Sequence, residues 1–127
     1  MPDLFEVVIV DVSEIMLKRE TKHCVCVSLI ENNYLFINSN SLSKYDDFII
    51  EAKNYHFLQN KDRFVACFKI YTIAPDKIIQ TVGKLNIEDI NKIVNKIKNS
   101  KTLRKIDKDS VLPEMENWLS QNTVYKV

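Results

Sequence analysis

The sequence predicts a small, mainly β domain in which five or six short antiparallel strands are followed by a packed C-terminal helix. Two observations carry this. Between Asp62 and Leu103 the hydrophobic period changes once, from the β-rich stretches Arg63–Ile73 and Lys77–Val82 to the three-and-four spacing of a helix over Ile87–Lys101. Upstream, further β-branched runs are separated by polar, turn-forming segments. At 127 residues the chain suits one core and is too short for two ordinary domains.

In chain order, Phe5–Val12 is apolar and β-branched and predicts the first strand; Ser13–Thr21 is polar and predicts a loop. Cys24–Ile30 and Tyr34–Ser39 predict a second and a third strand. Between them Glu31-Asn32-Asn33 reads as a tight hairpin turn, because Asn tolerates positive φ better than other residues with a Cβ. Asn40–Asp47 is turn-like, Phe48–Ala52 an edge or connecting strand, and Lys53–Leu58 a single helical turn. Pro75-Asp76 turns the chain between the last two strands. Asn86 is placed to cap the helix, with Glu88 and Asp89 in its first turn and Lys98 and Lys101 in its last, matching the helix dipole. Ile87, Ile90, Val94 and Ile97 share one face, with Ile93 beside them, and are expected to cover the sheet. Residues 104–110 read as a charged connector and Pro113–Leu119 as a last short helix with proline in its first turn. The expected organisation is a barrel with its closing helix over residues 1–103, and an extension over 104–127 belonging to the same domain.

Composition narrows the class. Hydrophobic residues at 46% and charged residues at 28% are the balance of a soluble globular protein. No apolar run is long enough for a bilayer, and the acidic start (Asp3, Glu6) lacks the basic opening of a signal peptide. Three cysteines suit a reducing compartment, so a cytoplasmic protein with no membrane association is expected. The net charge of +1 conceals a net −5 over residues 1–51 and a net +5 over 84–108. The basic segment offers a face to phosphate backbones, or simply attracts the acidic part of the same fold. There is no phosphate loop, nucleophile elbow or zinc-binding helix. Cys24 and Cys26 share a strand face, near which His23 and Cys67 could come, but no Cys-x-x-Cys pair exists. They read as small buried hydrophobes, and neither a metal nor a cofactor is expected. His56 between two aromatics, the strand aromatics and Trp118 read as packing residues.

The order of strand, turn, short strand, Val82-Gly83-Lys84-Leu85 and acidic helix start resembles the PemK/MazF toxins of bacterial toxin–antitoxin pairs. The likeness is strongest from Phe64 to Leu103, through Ile70-Tyr71-Thr72-Ile73, Asp76-Lys77 and the Gly-Lys-Leu step. The hairpin Cys24–Ile30/Tyr34–Ser39 falls where that family has its second and third strands. Pro2-Asp3-Leu4 replaces the family's basic-Gly-Asp start, Lys22-His23 stands where Arg-Pro precedes the second strand, and Ser39 matches the Thr or Ser at the end of the third.

The resemblance implies an SH3-like barrel, a homodimer with an RNA groove along its interface, a cognate protein antitoxin, and endoribonuclease cleavage of single-stranded RNA without a metal. On that basis His23 would transfer a proton, Lys22 would stabilise phosphate charge and Ser39 would donate a hydrogen bond to a phosphoryl oxygen. Arg19, Lys44 and Arg63 would bind the RNA. The hairpin is expected to bring residues 22–23 beside residue 39. Two other readings remain open: a barrel without catalysis that binds a protein, as CcdB-type gyrase poisons do, and a nucleic-acid-binding accessory protein.

Overall fold

The computed structural model describes residues 2–17 and 20–123. In chain order it contains β1 (Glu6–Asp11), the one-turn helix α1 (Ser13–Met16), β2 (Thr21–Ser28), β3 (Asn33–Asn38), β4 (Asp47–Ile50), β5 (Arg63–Ala66), β6 (Tyr71–Thr72), β7 (Ile78–Lys84), α2 (Ile87–Asn99) and α3 (Lys105–Thr123). The strands form one antiparallel sheet in the order β4-β5-β3-β2-β1-β7, with β6 also paired to β3. The expected mainly β architecture with packed C-terminal helices is present, with seven strands. β4 and β7 stand at opposite edges and do not pair with each other, so the sheet is open.

The extra strand comes from Arg63–Ile73, predicted as one continuous strand. From Ile37↔Val65 to Tyr34↔Tyr71 the chain advances three residues along β3 but six along its partner, so the ladder breaks and residues 67–70 loop out. Between β2 and β3 the turn forms as expected, with Asn32 in the left-handed region at φ 53°.

Paired residues stand on the same side of an antiparallel sheet, and successive residues on opposite sides. Val7, Val25 and Leu35 thus line one face, and Val8, Cys24 and Phe36 the other, and all six are buried. The centre of the sheet is covered on both sides, which is why β3 reads as an unbroken apolar run rather than an alternation.

Helix α2 begins as predicted. The Asn86 side chain accepts the Asp89 N–H at 2.9 Å, while the Tyr55 hydroxyl donates to Asp89 and accepts the Asn86 N–H. Ile90, Ile93 and Ile97 are fully buried in the core, with Val94 nearly so. The helix stops at Asn99, two residues early. Ser100 adopts an extended conformation and its hydroxyl accepts the N–H groups of Thr102 and Leu103, turning the chain away.

Helix α3 corrects the reading of residues 104–110 as a connector: it starts at Lys105, and Pro113 lies inside it. Its first turn bonds to the Arg104 carbonyl, and Lys105 bridges Asp109 at 3.0 Å. Tertiary packing then carries it through the proline, an unfavourable interior residue. Val111 and Met115 are fully buried one turn apart, Trp118 meets Phe5 edge-on at 5.0 Å, and Glu114 accepts the Ser28 hydroxyl at 2.8 Å and the Leu29 N–H at 2.6 Å.

Candidate functional site

Strand register decides which predicted site residues meet. His23 pairs with Ile9 on one side and Ile37 on the other, Ile37 pairs with Val65, and Val65 with Phe48. These residues form a row across one face of the sheet. Arg63, two residues from Val65, and Ser39, two residues from Ile37, project from that same face. There Arg63 Nη1 donates to Ser39 Oγ at 3.0 Å. The buried Arg63 Nε has no hydrogen-bond partner among the described residues.

His23 is half-buried, its ring nearly parallel to that of Phe57 with centroids 6.3 Å apart. Burial lowers its pKa from the ordinary 6.5, and the Arg63 charge lowers it further. Both effects favour the neutral imidazole, the form a proton acceptor needs. Phe57 also contacts Tyr55, at 5.3 Å, and His56, edge-on at 5.9 Å. Gly83 permits this placement, since a Cβ there would lie 2.6 Å from Phe57 Cδ2. The Gly-Lys-Leu glycine thus sits within β7, opposite Val7, and serves a close approach rather than a turn.

Lys22 lies elsewhere. The hairpin does bring its backbone beside the end of β3, but alternation sends its side chain to the opposite face. There it donates to Asn38 Oδ1 and stands 5.2 Å from the centroid of the Phe36 ring, which stacks on Tyr71 at 3.9 Å. With Met16, Leu42 and Phe68 they line a cleft of about 130 Å³. The expected group of Lys22, His23 and Ser39 is therefore divided by the sheet, and Arg63 rather than Lys22 supplies the cation next to His23 and Ser39. Phe57 and Asn38 had no sequence signal for their positions.

Of the other cations singled out, Lys44 stands 5.8 Å from the centroid of the Tyr45 ring, and Arg19 lies outside the described residues. Cys24, Cys26 and Cys67 are free and buried. Burial pushes the Cys24 and Cys26 thiols up to about 12 and raises Cys67 as well, so none is a ready thiolate. Among the described residues no group of three His, Cys, Asp or Glu side chains is placed to hold a metal, and no helix is long and apolar enough to cross a membrane.

The open antiparallel sheet with its packed C-terminal helices is a MazF-like fold. Among solved structures it is similar to the Mycobacterium tuberculosis toxin MazF-mt6, with a TM-score of 0.58 and 14% identity over 74% of this chain and 93% of that one. No family model and no curated protein matches the sequence.

Proposed function

We propose that this chain is the toxin component of a toxin–antitoxin pair, an endoribonuclease that cuts single-stranded RNA without a metal. The observation that carries the reading is the Arg63–Ser39 pair beside a half-buried His23 whose proton affinity burial and the Arg63 charge lower. His23 takes the proton from a 2′-hydroxyl, whose oxygen attacks the adjacent phosphorus. Arg63 and the Ser39 hydroxyl stabilise the charge on the phosphoryl oxygens. The bond to the 5′-oxygen breaks, that oxygen takes a proton from water, and the products end in a 2′,3′-cyclic phosphate and a 5′-hydroxyl. The protein works as a cytoplasmic homodimer and is silenced by a protein antitoxin; the fold likeness to a MazF toxin supports this part.

A second reading, a barrel that acts by binding a protein, draws support from the division of the site. Met16 and Leu42 are exposed beside Lys22 in its cleft, apolar side chains suited to a partner.

Incubating the purified protein with long structured and unstructured RNAs in EDTA, followed by end-group analysis, separates the two. The nuclease yields cyclic-phosphate ends. His23→Ala lowers cleavage by about two or more orders of magnitude, the scale of a lost acid–base group. Lys22→Ala leaves the rate within a few-fold. No cleavage by the wild type, together with a copurifying protein partner, establishes the second reading instead.

A further inference from the structure

A second cleft, of about 650 Å³, opens between the segment leading into β4 and the outward side of α2. Lys92, Asn95, Lys96 and Asn99 line it at helical spacings of three and four, and Lys101 follows just beyond the helix end. The opposite wall carries two rings, Phe48 and Tyr45, the latter 79% exposed. Lys92 Nζ stands 6.0 Å from the centroid of the Phe48 ring, and Lys96 donates to the Tyr45 carbonyl at 2.7 Å, which holds the two walls together. Asp46, the acid in the lining, is buried and accepts hydrogen bonds from Ser43 and Thr102, so its charge is turned inward.

We propose that this cleft is a binding surface for single-stranded RNA, with Tyr45 and Phe48 stacking bases, Lys92, Lys96 and Lys101 neutralising phosphates, and Asn95 and Asn99 meeting base edges. Aromatic faces flanked by cations are what an unpaired strand needs, since every base offers a π-face and every linkage a charge. A duplex hides the base faces. An acidic peptide matches the lysines but makes no comparable use of the flat, exposed Tyr45 ring. Phe48 shares a face with His23 and lies three strands away, about 14 Å at the usual strand spacing. A strand held here has its neighbouring nucleotides within reach of His23, Arg63 and Ser39. The identity of the strand as RNA rests on the nuclease reading; the cleft and its chemistry do not.

The test is fluorescence anisotropy with a labelled 2′-O-methyl oligonucleotide, which binds but has no 2′-hydroxyl to attack, alongside separate cleavage assays. Tyr45→Ala, at an exposed position that leaves the melting temperature unchanged, weakens binding about tenfold or more. The double variant Lys92→Gln/Lys101→Gln reduces the slope of log affinity against log salt by about 1.4, or 0.7 for each single-strand phosphate that is no longer neutralised. Absence of wild-type binding, wild-type affinity in both cleft variants, equal affinity for a duplex, or equally strong competition by polyglutamate overturns the proposal. Binding that follows these variants in a protein that cleaves nothing sinks the nuclease and leaves the cleft standing. Cleavage with indifferent cleft variants does the reverse.

Discussion

Replacing Gly83 by alanine tests how the β7 backbone, Phe57 and His23 are fitted together. The new Cβ would stand 2.6 and 2.7 Å from Phe57 Cδ2 and Cε2, where ordinary carbon contacts lie at about 3.5–4.0 Å. The ring has little room to retreat, because it packs against His23, Tyr55 and His56. Overpacking of this kind costs about 1–3 kcal/mol. Removing a glycine from the unfolded chain returns about 0.4–1 kcal/mol. The net loss is then about 1–2 kcal/mol, or roughly 4–8 °C in melting temperature for a domain of this size. Thermal and urea unfolding measure it, and a cycle with Phe57→Leu locates it: with the smaller side chain present, Gly83→Ala should lose at least half its effect, a coupling of about 1 kcal/mol. An unchanged or raised melting temperature in the single variant, or strict additivity in the cycle, would refute the close-approach account of this glycine.

Two further perturbations follow from the same architecture. Ile90→Asp places an unpaired carboxylate where no solvent reaches, a burden of several kcal/mol against a total stability of about 5–15 kcal/mol. Circular dichroism should show loss of the cooperative melt, and a wild-type transition would mean that the α2 stripe is not core. His23 titrates below 6.5 when folded and near 6.5 when unfolded, so the unfolded chain binds the proton more readily. Its contribution to stability is therefore complete above pH 6.5 and is lost as the pH falls through the folded value. The wild-type melting temperature should drop over that window more steeply than that of His23→Gln, and parallel pH profiles would show that His23 is not the group responsible.

What could be read from the sequence was local. The Asn86 cap, the Ile/Val stripe of α2 and the Asn32 turn each depend on residues a few positions apart, and each forms as expected. The division of Arg63–Ile73 depends on where a distant strand, β3, offers its pairing groups, and no local period records that. Helix α3 is not legible locally because its support is distant: Val111 and Met115 join the core, Trp118 meets Phe5, and Glu114 binds Ser28 and Leu29. In the candidate site, residues 22 and 23 are adjacent in sequence, but a strand sends neighbouring side chains to opposite faces, and that alternation separates Lys22 from His23 and Ser39.

The clasp between α3 and the β2–β3 turn has a consequence for how the chain acquires its shape during synthesis. Ser28 and Leu29 wait for Glu114, and Asn33 for Ser110, across separations of 86, 85 and 77 residues. Contacts of such long reach form late, because the intervening chain must be closed before they give any return. A nascent chain that has exposed every strand still holds the Leu29 amide in water and leaves Phe5 without Trp118. Completion of the sheet's central hairpin is thereby tied to the arrival of its most distant helix.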